Sequence, residues 1–199
     1  VHPLFQELRR KLEQSPGKPF DFPSVALRES AVLVPLFLRE EKPYVLLTQR
    51  PLTLRQHAGQ ISFPGGARDE EDASPLHTAL REMDEELGLP PERVEVLGML
   101  NEIPTPSGYR IIPFVGEIPS DFTFAPSPAE VAALIEVPLA HLMDPSFRRQ
   151  EVRRWHELDF QVYFYDYGEH TIWGATAHIL TDLLKLAAEL PAFQRLSNR

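Results

Sequence analysis

The chain has 199 residues, 43% hydrophobic and 25% charged, the proportions of an ordinary globular chain long enough to bury a sizeable core. Its formal net charge of −9 argues against a general nucleic-acid-binding or anionic-membrane surface. It contains no cysteine, which excludes disulfides, thiolate zinc sites and a cysteine nucleophile.

At the start, Leu4, Phe5, Leu8 and Leu12 recur at helical spacing and predict a helix, ended by Ser15-Pro16-Gly17. Charges throughout the first twenty residues leave no signal-peptide core, so a cytoplasmic location is expected. A proline-containing link follows, and the expectation is one domain over residues 1–199 with 1–28 as a helical extension. Residues 31–38 form an eight-residue apolar run that includes Pro35, far short of the roughly 18 residues of a membrane span. This run reads as a buried strand. Arg39-Glu40-Glu41-Lys42-Pro43 then predicts a turn into a second strand over residues 44–50.

Residues 51–60 lack a period and read as a loop. Around it stand Arg50, Arg55, His57 and Arg68, a basic cluster on an acidic chain. They are either solvated side chains or a phosphate clamp, for which the planar fork of arginine is suited.

Residues 63–89 carry the most chemical information and predict a loop followed by a helix. Ser74 then Pro75 is an N-cap and first-turn pair, and Gly88 before Pro90 and Pro91 is a stop. At about 100° per residue, Leu76, Ala79, Leu80, Met83 and Leu87 share one face, and Glu82, Glu85 and Glu86 share another. Carboxylates at this spacing repel by roughly a few tenths of a kcal/mol per pair, so helix stability does not ask for the trio. A divalent cation turns the repulsion into binding, and all-oxygen ligation suits Mg2+ or Mn2+. Gly65-Gly66 lets backbone approach a ligand closely and leaves a carbonyl free for the metal.

Past this helix, residues 94–100 and 110–116 predict strands joined by the loop 104–108, either as a hairpin or as sheet neighbours. An irregular segment, 122–128, delivers Glu130 just before the apolar run 131–137. Residues 150–155 and 158–165 give two more strands. A last helix is expected over 172–190, striped by Ile172, Ala175, Ile179, Leu183, Leu186, Ala187 and Leu190. Trp173 and His178 on it either pack in the core or face a ligand. Pattern alone supports an α+β or α/β class.

The helix resembles the Nudix box, which runs Gly, five residues, Glu, seven residues, Arg-Glu-aliphatic-any-Glu-Glu-any-Gly-aliphatic. Gly66, Arg81, Glu82, Met83, Glu85, Glu86, Gly88 and Leu89 fit it; Asp72 replaces the middle Glu and is followed by a spacer of eight residues. The resemblance implies an α/β/α sandwich with a mixed sheet over roughly residues 29–190. It also implies metal-dependent hydrolysis of a phosphoanhydride. Glu82, Glu85 and Glu86 would hold Mg2+ or Mn2+ with the Gly65 carbonyl, Arg81 would hold a carboxylate in place, and the general base would be Glu82 or Glu130.

A second likeness narrows the substrate. Leu46-Leu47-Thr48-Gln49-Arg50, then Leu54-Arg55, His57, Gly59 and Phe63-Pro64-Gly65-Gly66, is similar to the signature of coenzyme A pyrophosphatases. Thr105-Pro106-Ser107-Gly108-Tyr109, Pro113-Phe114-Val115-Gly116 and Ile172-Trp173-Gly174 also resemble that branch, in which the longer spacer is usual. The implied reaction cleaves the pyrophosphate of coenzyme A or a derivative to 4′-phosphopantetheine and adenosine 3′,5′-bisphosphate. Arg50, Arg55 and His57 would contact the phosphates, or His57 would shape the loop. The expected partner is a small molecule, with neither nucleic acid nor membrane. Two rivals remain open: another nucleoside diphosphate derivative such as ADP-ribose or NADH, and a non-catalytic ligand-binding module of the same fold.

Overall fold

The computed structural model describes residues 1–20, 27–53, 57–155 and 158–194. At its centre lies β1 (Arg28–Arg39), which pairs parallel with β7 (Tyr109–Glu117) on one side and antiparallel with β2 (Lys42–Gln49) on the other. Both faces of this strand are covered by a packed core, so its apolar run is continuous rather than alternating in composition. Alternation survives in where the side chains go: Val34 and Leu36 enter one core, Ala31, Leu33 and Phe37 the other.

The first core packs α1 (Pro3–Gln14) through Phe5, Leu8 and Leu12 against the sheet and against α4 (Gly174–Ala188). On the opposite face, α2 (Pro75–Leu87) buries Ala79, Met83 and Leu87. Each fully buried side chain of this size stabilises by about 1.5–3 kcal/mol, which fixes α2 against β1. The result is the expected α/β/α sandwich around a mixed sheet. Its order is β3-β2-β1-β7-β5, where β3 is Ile61–Ser62 and β5 is Glu95–Met99.

Three further strands join this sheet off the main path: β4 (Gly65–Ala67) on β1, β6 (Ile103–Pro104) on β7, and β8 (Ala133–Pro138) on β2. The 104–108 loop thus closes a hairpin between β6 and β7, while β5 pairs with β7 as well. Strands β1 and β2 pair only over Leu36–Arg39 and Lys42–Val45. Beyond that β1 takes β4 and β2 takes β3, so the two central strands part into a fork. Gly65-Gly66, expected in a loop, is therefore part of a short strand lining the fork.

A separate three-stranded sheet runs β11-β10-β9, with β9 Arg148–Trp155, β10 Leu158–Tyr167 and β11 His170–Trp173. The last helix consequently starts later than its apolar stripe suggests. Ile172 pairs with Tyr165 in the sheet, Gly174 turns the chain with φ +69°, and α4 ends at Ala188. Ile172 fits both periods, and pairing with β10 decides between them. Among the described residues no helix is long and apolar enough to cross a membrane.

Candidate active site

Helix α2 is held at both ends as its sequence predicts. The Ser74 hydroxyl accepts from the His77 amide at 3.2 Å, and Gly88 adopts φ +71° with its own amide bonded to the Asp84 carbonyl at 2.7 Å. Only glycine reaches that left-handed geometry without strain. The helix thereby ends where residues 122–131 can dock on it. Two amides of that segment, from Ala125 and Ser127, donate to the Leu87 and Glu86 carbonyls at 2.9 and 2.8 Å. Glu130 and Val131 amides then turn back onto the Ser127 carbonyl.

This docking brings Glu130 to Glu82 and Glu86, and one carboxylate oxygen from each lies within 4.8 Å of the others. Glu82 and Glu86 are about 40° apart around the helix axis, whereas Glu85 is displaced by about 60° from Glu82 in the opposite sense. Glu85 accordingly faces solvent and accepts from Arg81 Nη1 at 2.8 Å. Gly66 passes directly over Glu82, and a Cβ there would collide with the Glu82 carboxylate.

Burial dominates the electrostatics. Glu86 is pushed up to about 8, first by desolvation and then by the neighbouring Glu82 charge, against the pull of the Gly65 amide and of Arg50. Glu82 is raised for the same leading reason, with Arg81 opposing. Glu86 Oε2 is buried and has no hydrogen-bond partner among the described residues. An orphaned carboxylate oxygen beside two more carboxylates fits a hard divalent cation, which would replace the missing partner and relieve the repulsion.

Arg81 is gripped from below. Asp72, only 3% exposed, accepts from Arg81 Nε and Nη2 at 3.0 Å each, from Thr78 Oγ1 at 2.8 Å and from the Asp69 amide at 3.0 Å. His77 Nδ1 lies 2.9 Å from Asp72 Oδ1, the oxygen that also accepts from Arg81 Nε. These contacts, led by Arg81, hold the Asp72 carboxyl well below the usual range. Arg81 Nη1 remains free to reach Glu82 at 3.0 Å as well as Glu85. The residue that departs from the box pattern thus anchors the arginine that follows it, and its offsets of five, six and nine residues to His77, Thr78 and Arg81 are the only trace of this in the sequence.

The basic residues divide. Arg50 extends β2, its amide bonded to the Gln60 carbonyl at 3.0 Å and its carbonyl to the Gly59 amide at 3.1 Å. Its Nε is buried without a partner among the described residues, and its charge acts on Glu86. His57 is exposed with φ +56°, its carbonyl accepting from Gln60, and Arg55 lies outside the described residues. Arg68 bonds Glu29 at 2.8 Å and the Asp72 carbonyl at 3.0 Å. His178 packs edge-on to Tyr163 at 5.7 Å between ring centres.

Residues 27–160 match the model of the NUDIX domain family. The chain belongs to the Nudix family. It is 44% identical over 164 residues to the protein named Uncharacterized Nudix hydrolase NudL of Photorhabdus laumondii, covering 78% of this chain and 83% of the relative. A protein of the same name from Cronobacter sakazakii is 40% identical over 194 residues, 94% of this chain and 93% of the relative. Among solved structures, the MutT/nudix family protein from Enterococcus faecalis shares the fold with a TM-score of 0.50 at 15% identity, covering 96% of this chain and 73% of that one. The chain is a Nudix hydrolase, and its box is the segment that carries the carboxylates.

Proposed function

We propose that this Nudix hydrolase cleaves the pyrophosphate bond of coenzyme A or its derivatives with Mg2+ or Mn2+, giving 4′-phosphopantetheine and adenosine 3′,5′-bisphosphate. The observation that carries the reading is the pairing of two unsatisfied buried groups, Glu86 Oε2 and Arg50 Nε, at the fork between β1 and β2. One is suited to a cation and the other to a phosphate oxygen, and a metal–pyrophosphate substrate offers both. The signature residues similar to coenzyme A pyrophosphatases support the finer choice, since Leu46 to Arg50 and Phe63 to Gly66 border that same fork.

In this reading Glu82, Glu86 and Glu130 hold the ion with the Gly65 carbonyl as a further ligand, and Glu85 serves through Arg81. When bound, Mg2+ or Mn2+ neutralises the phosphoryl oxygens and lowers the pKa of a nearby water. Glu82 takes the proton of that water as its oxygen bonds to phosphorus and the bridging P–O bond breaks; Glu130 is the other carboxylate in reach. Arg81, fixed by Asp72, keeps Glu82 oriented. Arg50 and, from the loop 51–60, Arg55 and His57 contact the phosphates.

Mass analysis of products after incubation with coenzyme A and Mg2+ tests the proposal. Masses of 4′-phosphopantetheine and adenosine 3′,5′-bisphosphate are expected. A panel in which ADP-ribose or NADH is turned over faster than coenzyme A would replace the substrate, and no metal-dependent cleavage of any member would remove the catalytic reading.

A further inference from the structure

Trp173 is 44% exposed while its neighbour Ile172 is wholly buried. A single exposed aromatic needs no explanation by itself, but the place of this one does. β11 ends at Trp173 and the chain turns at Gly174, where Gln60 Nε2 lies 3.9 Å from the point at which a side chain would begin. Thr176 Oγ1 donates to the Ile61 carbonyl at 3.2 Å, fastening this corner to β3. The Gln60 carbonyl in turn accepts from the Arg50 amide at 3.0 Å, and Arg50 is the cation acting on Glu86.

A short chain of neighbours, Glu86, Arg50, Gln60 and Gly174, therefore links the carboxylate cluster to the turn that follows Trp173. On its other side Trp173 pairs across the sheet with Phe164, whose ring lies 4.0 Å from the Arg149 guanidinium. The indole is thus a partly exposed apolar face at the end of a strand, one residue from the contact between Gly174 and Gln60.

We propose that Trp173 is the surface on which the nucleobase of the substrate stacks, making it a specificity-determining residue of this hydrolase. The inference rests on the substrate being a nucleoside diphosphate derivative, as proposed above. A planar base gains from a rigid aromatic face, whereas a flexible pantetheine arm gains little.

The test uses fluorescence of a Trp155→Phe variant, in which Trp173 is the sole indole of the chain. Quenching by adenosine 3′,5′-bisphosphate and not by 4′-phosphopantetheine is expected. No quenching by the nucleotide, or quenching by 4′-phosphopantetheine alone, overturns the proposal. In parallel, Trp173→Ala should raise KM for the hydrolysed substrate by about 10-fold or more with kcat little changed, and Trp173→Phe should restore most of the loss. A KM unchanged in Trp173→Ala also overturns it. Coenzyme A hydrolysis by the unaltered enzyme reports separately on the substrate reading, so the two fail distinguishably.

Discussion

Two arginines near the same helix are treated in opposite ways. Arg81 has its guanidinium shared among Asp72, Glu82 and Glu85, on a carboxylate that itself collects Thr78, His77 and the Asp69 amide. Arg50, at the end of β2, leaves Nε buried without a partner among the described residues, and its charge acts on Glu86, one of whose oxygens is in the same condition. Buried polar groups are normally satisfied, because each one left unpaired costs about 1–3 kcal/mol. The saturated region keeps the site in shape. The unsaturated one marks where something else is to be bound.

The largest effect should come from Glu82, the carboxylate that joins the two regions, ion-paired with Arg81 and clustered with Glu86. Glu82→Gln should cut turnover by about 10² to 10⁴ if Glu82 is both ligand and base, measured as kcat at saturating Mg2+. Turnover near that of the unaltered enzyme would sink both the base and the ligand assignment of Glu82. On the saturated side, Asp72→Asn strips the paired charge from Arg81 and should cost about 3–5 kcal/mol of stability in urea unfolding. A cost near zero would show that Arg81 is held by Glu82 and Glu85 alone.

The pH dependence of the metal-free protein sharpens the contrast. Glu86 sits at about 8 in the fold, so between the ordinary Glu range and pH 8 the folded state keeps a proton that the unfolded chain has released. Stability should therefore fall as pH rises through that window, by an amount on the order of a few kcal/mol. Glu86→Gln should remove most of the fall, while added Mg2+ should stabilise the unaltered protein more than the variant. Asp72 works in the other direction: its contribution is present above the ordinary Asp range and is lost as pH falls below it. Smaller still, Arg50→Ala should raise KM about 10-fold and leave stability within about 1 kcal/mol, since the buried atom it removes, Nε, has no partner among the described residues. The exposed Arg149–Glu151 pair is the floor of the scale, with Glu151→Gln expected to change stability by less than about 1 kcal/mol.

What the sequence made legible was what local chemistry decides. The β1 run, the capped ends of α2 and its apolar stripe follow from period and caps, and all three match the structure. Arrangements set by distant partners were not readable. Ile172 and Trp173 fit a helix until β10 claims them, and β4 exists only because β1 and β2 part. Within the site, spacing grouped Glu82, Glu85 and Glu86, but only the sheet beneath α2 decides that Glu86 is buried and Glu85 is turned outward. Asp72 read as a deviation, because it lies in the turn before α2 and its grip on Arg81 closes nine positions later, inside the helix.

The segment that delivers Glu130 is stapled by main-chain N–H groups, which nineteen of the twenty amino acids supply equally. The exception is instructive, because Pro126 and Pro128 alternate with the two donors at Ala125 and Ser127. Shifting that alternation by one position would unhook the loop without altering a single acidic side chain. These two bonds thus ask nothing of the side chains at 125 and 127, but they do fix the parity of the prolines.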